Sequence, residues 1–162
     1  MNYHNITHDD MLNGEGLRVV LWVAGCDNNC KGCQNPETHD PNGGIKFQTK
    51  DLIEILNGLK KDHISGLTLS GGDPLYLGNL PDITHICKTV KFNFPDKTIW
   101  LYTGYVWEII RGLEVMNYID VLCDGRFVQE LADENCKWVG STNQRVINVQ
   151  ESLKLGKVVL EG

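Results

Sequence analysis

Apolar and polar residues alternate along the chain in two distinct rhythms. Leu17 to Val23 (LRVVLWV) is a short run rich in β-branched residues and reads as a buried strand. It ends at Ala24-Gly25, before a polar loop holding Asp27, Asn28, Asn29 and Gly32. Asn42-Gly43-Gly44 marks a turn. Thr49 to Lys60 carries Leu52, Ile53, Leu56 and Leu59 at helical spacing, with Thr49 placed to cap the first turn. Leu67-Thr68-Leu69 is a short strand leading into Ser70-Gly71-Gly72-Asp73-Pro74. Asp82 to Phe92 is again helical, with Ile83, Ile86, Cys87 and Val90 on one stripe. Thr98 to Tyr102 reads as a strand, Val106 to Val115 as a helix and Ile119 to Cys123 as a strand. Arg145 to Val149 and Lys157 to Leu160 are expected to be two final strands.

From Leu17 to Cys123, then, strand and helix alternate, which predicts parallel βαβ units and an α/β fold. In such sheets ligands bind at the carboxyl ends of the strands. Three predicted strands end in unusual loops there: the cysteine loop, the Gly-Gly-Asp loop and Thr103-Gly104-Tyr105. The 162 residues show no repeat and no Pro/Ser-rich linker, so one domain over residues 1–162 is expected. At roughly 30 residues per unit there is room for about five βα units. A complete eight-unit barrel typically takes about 250 residues, so that architecture is excluded.

Charge narrows the function classes. Fifteen Lys and Arg against 21 Asp and Glu give a formal −6, which disfavours direct nucleic-acid binding through clustered phosphate contacts. No apolar run is long enough to span a membrane. The N-terminal residues lack a signal-peptide pattern, so a cytoplasmic location is expected.

The cysteines carry the chemistry. Cys26, Cys30 and Cys33 lie within eight residues in the spacing C-x-x-x-C-x-x-C, whereas Cys87, Cys123 and Cys136 are scattered. Clustered thiols in a reducing compartment bind metal or do redox chemistry more often than they form disulfides. Three thiolates on one loop can hold an iron–sulfur cluster, leaving one iron of a cubane open to substrate. Two alternatives stand beside this: structural zinc, with His39 or a distant cysteine as fourth ligand, and unliganded core thiols. The glycine pair Gly71-Gly72 opens a loop and also lets a ligand approach the backbone closely. Cys87 and Cys123 read as buried small hydrophobes. His4, His8, His63 and His85 read as structural or solvated, and Ser141 to Gln144 as a polar turn.

Taken together, the cysteine loop after a first strand and Gly71-Gly72-Asp73 after a later one resemble the radical S-adenosylmethionine superfamily. Further segments narrow the likeness to the glycyl-radical-enzyme activases that serve anaerobic ribonucleoside-triphosphate reductase. They are Asn13 to Arg18, Val23 to Cys26, Lys31 to Asn35, Leu69 to Leu75, Trp100 to Tyr105, Val121 to Phe127 and Gly140 to Gln144.

The resemblance implies an open, partial (β/α) barrel with mostly parallel strands. It implies a 4Fe–4S cluster on Cys26, Cys30 and Cys33, with S-adenosylmethionine chelating the fourth iron. Gly71, Gly72 and Asp73 would bind the methionine end of that ligand, and Gly32, Cys33 and Gln34 would line its nucleoside side. Gly32 stands where the superfamily often has an aromatic residue, and Asp73 where glutamate is commoner. An electron from a flavodoxin-type donor would release a 5′-deoxyadenosyl radical, which takes hydrogen from a glycine of the reductase. The open side of the barrel is where that protein substrate is expected to dock.

Overall fold

Strand β2 (Leu17–Val23) is one of the central strands of a seven-stranded sheet in the computed structural model, which describes residues 1–28, 30–33 and 36–162. The other strands are β1 (Asn2–Asp10), β3 (Ile45–Lys46), β4 (Ile64–Gly71), β5 (Thr98–Tyr102), β6 (Val121–Asp124) and β7 (Arg145–Asn148). Their order is β3-β1-β2-β4-β5-β6-β7. The four central strands are parallel, as the alternation predicted. The crossovers run through α1 (Thr49–Leu59), α2 (Leu80–Asn93) and α3 (Trp107–Ile110), and α4 (Val149–Leu155) follows β7. Strands β3 and β7 stand at opposite ends of the order, so the sheet is mixed and open rather than a closed barrel.

Period-two alternation sorts the strand residues between two faces. Val19, Leu21, Val23, Leu67, Leu69, Ile99, Leu101 and Leu122 enter the main core with Ile55 and Leu59 of α1 and Ile83, Ile86, Cys87 and Val90 of α2. Trp100, Val121 and Cys123 form a second cluster with Tyr102, Trp138, Val139 and Val146. The indole rings of Trp100 and Trp138 meet edge to face, 5.5 Å between centroids.

A charged side chain lies buried beside this second cluster. Arg18 is 1% exposed, and neutral oxygens accept from all five of its N–H groups. Nε donates to Thr68 Oγ1 (2.8 Å), Nη1 to Glu15 O (2.9 Å) and Thr98 Oγ1 (3.0 Å), and Nη2 to Leu67 O (3.0 Å) and Thr98 O (2.8 Å). Its guanidinium also lies 5.6 Å from the Trp100 ring centroid. It thereby ties β2, β4 and β5 together near their starting ends. Replacing Arg18 with leucine leaves buried carbonyls unpaired and is expected to cost about 3 kcal/mol of unfolding free energy. Urea denaturation checks this, and an unchanged midpoint would contradict it.

Several sequence expectations need correction. The region 106–115 is not one helix: α3 stops at Ile110, and a 3-10 turn at Glu114–Asn117 follows Gly112, a poor helix former. Gln48 rather than Thr49 caps α1, its N–H donating to Asp51 Oδ2 at 2.8 Å. Asp51 also accepts from the Tyr3 hydroxyl (2.7 Å), which locks β1 onto α1. Residues 145–149 form a strand only to Asn148, and it runs antiparallel to β6. Residues 157–160 form no strand; Leu160 makes a single bridge to Ile147. Among the described residues, no helix is long and apolar enough to cross a membrane.

Candidate functional site

The parallel register Trp22↔Ser70, Val23↔Gly71 and Leu69↔Leu101 brings the ends of β2, β4 and β5 level. Backbone bonds then sew the loops that follow to one another. Gly72 N donates to Val23 O (2.8 Å) and Asp73 N to Gly25 O (2.7 Å). Gly25 N donates to Thr38 O (2.7 Å) and Cys26 N to His39 O (3.1 Å). Gly71 has φ +104°, and a Cβ there would strike the backbone of Trp22 and Val23; at Gly72 it would strike Gly25 O and Thr38 O. Both glycines are therefore required for the two loops to meet.

These loops enclose a narrow cleft of about 120 Å³. Cys26, Cys30 and Cys33 line it from the first loop, Ser70 to Asp73 from the second, and Tyr102 to Gly104 from the third. Asn28, His39, Cys123, Gly125, Phe127 and Gln144 complete its walls. Through Cys33, Ser70, Tyr102, Phe127 and Gln144 it joins a groove of about 430 Å³ bounded by Leu12, Asn13, Trp22, Cys136, Trp138 and Val139.

All three thiols are reduced and partly exposed. His39 Nε2 lies 3.4 Å from Cys33 Sγ. Among the described residues, no three His, Cys, Asp or Glu side chains are grouped to hold a metal ion. The three thiols line one shared cleft, and thiolates are the donors of iron–sulfur clusters and of structural zinc alike.

Asp73 is the knot of the site. It is 1% exposed, and its carboxylate accepts from donors in three loops. Oδ1 accepts from Leu75 N (2.9 Å) and Thr103 Oγ1 (2.9 Å). Oδ2 accepts from Asn28 Nδ2 (2.7 Å), Gly104 N (2.9 Å) and Thr103 Oγ1 (3.0 Å). Burial pushes this carboxyl above its ordinary value, against the opposing pull of those donors. Asn79 Nδ2 adds bonds to Ala24 O (2.8 Å) and Asp73 O (3.2 Å).

A second clamp secures the next loop. Asp124, fully buried at the end of β6, accepts from Arg145 Nε (3.1 Å) and Nη2 (2.6 Å) and from Trp107 N (2.9 Å). The Asp124 and Glu108 carboxylates raise the Arg145 guanidinium further above its usual range. The expected polar turn at Ser141 to Gln144 is present: Gln144 Oε1 accepts from Gly140 N, Ser141 N and Ser141 Oγ, each at 3.0 Å. Its Nε2 donates to Gly125 O at 3.0 Å.

Of the residues expected to meet a ligand, Cys26, Cys30, Cys33, Gly71, Gly72 and Asp73 share the cleft. Gly32 is exposed and packs against the Gln129 side chain. Gln34 lies outside the described residues. Asn28 also stands in this cleft without a mark in the sequence, whereas Tyr102, Cys123 and Gln144 belong to the segments Trp100 to Tyr105, Val121 to Phe127 and Gly140 to Gln144 that carry the resemblance. Cys123 is buried as expected, but it sits in the cleft wall beside Tyr102. His8 and His63 make exposed pairs with Glu54 (2.8 Å) and Asp9 (2.9 Å).

Burial raises several acids around this framework. Cys123 is pushed up to about 12, and Tyr102 rises well above the usual phenol range. Tyr3 and Tyr105 rise to about 12, first through burial and then through Asp51 and Asp27. Each holds its proton in the native state at pH values where the unfolded chain has released it. The stability so gained is complete below the unfolded values of 9.0 and 10.0 and lost as pH climbs toward 12. Arg18, lowered to about 10 by burial, acts in the opposite sense above that pH and is outnumbered. The thermal midpoint is expected to fall from about pH 9 upward; a midpoint still constant at about pH 11 would contradict this.

A family model described as a 4Fe-4S single cluster domain matches residues 12–147. The chain is 44% identical over 146 residues to the anaerobic ribonucleoside-triphosphate reductase-activating protein of Enterobacteria phage T4, covering 90% of this chain and 93% of the relative. It is 42% identical over 148 residues to the protein of the same name from Vibrio cholerae serotype O1, covering 89% and 96%. With the one from Escherichia coli K12 it shares 41% identity over 150 residues, covering 90% and 97%.

Proposed function

Because the chain belongs to the anaerobic ribonucleoside-triphosphate reductase-activating proteins and matches a 4Fe-4S single cluster domain, we propose that it is a radical S-adenosylmethionine activase of that reductase. One observation carries the reading: three thiols in C-x-x-x-C-x-x-C spacing share a cleft with the Gly71-Gly72-Asp73 loop. On this reading residues 1–162 form one radical S-adenosylmethionine domain, a partial barrel acting in the cytoplasm.

Cys26, Cys30 and Cys33 would hold three irons of the cluster. When bound, that group would supply one electron, taken from a flavodoxin-type donor, for cleavage of the S–C5′ bond of S-adenosylmethionine into methionine and a 5′-deoxyadenosyl radical. Gly71 and Gly72, bare of side chains, and Asp73 receive the methionine end, and the Asp73 carboxylate also fixes the loops through Asn28, Thr103 and Gly104. Gly32, Cys33 and Gln34 are assigned to the nucleoside side. The groove bounded by Trp22, Trp138 and Val139 opens the cleft sideways and is assigned to the glycine loop of the reductase. A glycine Cα seated there would give up one hydrogen atom, leaving 5′-deoxyadenosine and a glycyl radical. An open sheet suits this task, because a protein substrate needs a wide mouth.

The test is anaerobic reconstitution with iron and sulfide, followed by S-adenosylmethionine, a low-potential reductant and the reductase. Four irons per chain, release of 5′-deoxyadenosine and a glycyl doublet in electron paramagnetic resonance are expected. Uptake of zinc without iron would overturn the reading in favour of a binding module, with His39 beside Cys33 as its fourth ligand. A doublet on pyruvate formate-lyase and none on the reductase would transfer the activity to a sister activase.

A further inference from the structure

Asn28, between Cys26 and Cys30, reaches two partners with one amide nitrogen. Its Nδ2 donates to Asp73 Oδ2 at 2.7 Å and to Cys26 Sγ at 3.5 Å. The residue is 6% exposed, and its Oδ1 is buried with no hydrogen-bond partner among the described residues. Its amide is pressed against Gly104, where any Cβ would collide with it.

The orientation of that amide is forced. Turned over, Oδ1 would face the Asp73 carboxylate, whose other neighbours are already donors from Leu75, Thr103 and Gly104. Asp73 therefore aims the second Nδ2 hydrogen at the sulfur. The amide nitrogen is thereby committed to two acceptors, Asp73 Oδ2 and Cys26 Sγ.

A hydrogen bond to a thiolate stabilises negative charge on the sulfur. Adding an electron to an iron–sulfur cluster increases the charge its sulfurs carry, so such bonds favour the reduced form. We infer that Asn28, locked in place by Asp73, is a positioning residue that raises the reduction potential of the cluster bound through Cys26. The inference rests on the proposed role of Cys26 as a cluster ligand.

The experiment is potentiometry of the reconstituted full chain, followed by electron paramagnetic resonance, in wild type, Asn28→Ala, Asn28→Leu and Tyr105→Phe. The leucine variant keeps the shape of asparagine without its donors. The phenylalanine variant removes a different bond to the same loop, Tyr105 Oη to Asp27 Oδ1 at 2.8 Å. Both Asn28 variants are expected to disfavour the reduced form about tenfold, a midpoint about 59 mV more negative for a one-electron couple. Tyr105→Phe should keep the wild-type midpoint. Loaded Asn28 variants with the wild-type midpoint overturn the inference and leave the activase reading standing. A wild-type chain that takes up no iron removes that reading itself. If neither Asn28 variant binds iron, wild type labelled with 15N-asparagine decides: a 15N nucleus coupled to the reduced cluster supports the inference, and its absence overturns it.

Discussion

Replacing Asp73 with alanine is expected to unfasten the whole ligand end of the sheet while leaving most of the core intact. The carboxylate is the common acceptor of Asn28 in the cysteine loop, Leu75 in its own loop, and Thr103 and Gly104 after β5. Removing it leaves those buried donors without a partner. Hydrogen bonds to a charged group contribute about 1.5–3 kcal/mol each, and the losses overlap because the bonds share one acceptor. A net loss of about 4 kcal/mol follows. Asp73→Asn keeps the size but turns an NH2 group toward other donors, so it should recover little of this. Asp73→Glu keeps the charge and crowds a closed site by one methylene, so it should recover more. Denaturant unfolding of the three variants, with iron content after reconstitution, gives the ranking. An alanine variant with wild-type stability and iron would show that the three loops hold together without the carboxylate.

Much of this framework was legible in the sequence because the parallel core writes both of its signals strongly. Continuous β-branched runs such as Leu17 to Val23 and the stripes at Leu52/Leu56/Leu59 and Ile83/Ile86/Cys87/Val90 come out as the central strands and the two long helices. Strand β1 was missed for the opposite reason. Of its nine residues only Tyr3 and Ile6 are buried, and register shifts between Tyr3 and Asn5 and between Thr7 and Asp10 break the alternation. Strand β3 is only two exposed residues long. Helix α4 is marked in the sequence only at its two ends. Asn148 accepts from Glu151 N at 3.1 Å as the N-cap, and Gly156 closes the helix at φ +71°.

The candidate site divides in the same way. Clustered cysteines and paired glycines are local patterns, so Cys26, Cys30, Cys33, Gly71 and Gly72 could be found by spacing, and the family they indicated is the one the relatives bear out. Asn28 and Gly104 could not, because their meaning arises only when loops separated by 76 residues in sequence touch. Cys123 looks like any apolar strand residue until the register puts its neighbour Leu122 in the main core and turns the thiol toward the cleft. Arg18 sits in an apolar run that reads as a buried strand, but nothing nearby in sequence shows what would pair its charge. Its oxygen partners come from β4, β5 and the loop before β2.

Cys26→Ala, Cys30→Ala and Cys33→Ala are each expected to abolish reductive cleavage of S-adenosylmethionine, the largest effect proposed for this chain. A cluster held by three thiolates loses one of its anchors in each variant, and the other thiol in the cleft wall, Cys123, is buried and held protonated, pushed up to about 12. Cys87 is fully buried in α2, where burial holds its thiol far above the range in which it could ionise. Cys87→Ala should therefore keep its iron and lose only packing, about 1 kcal/mol. His39→Ala separates the two metals. At 3.4 Å from Cys33 Sγ the imidazole is a neighbour of a cluster ligand, and its loss should weaken iron retention without removing it. Were the site a zinc centre with His39 as fourth ligand, the same change would empty it as fully as a cysteine substitution does. Iron and zinc content of the five variants, read beside 5′-deoxyadenosine release, distinguishes these outcomes. Full turnover in any one of the three cysteine variants would refute the three-thiolate assignment, because no residue on this loop could then supply the missing corner.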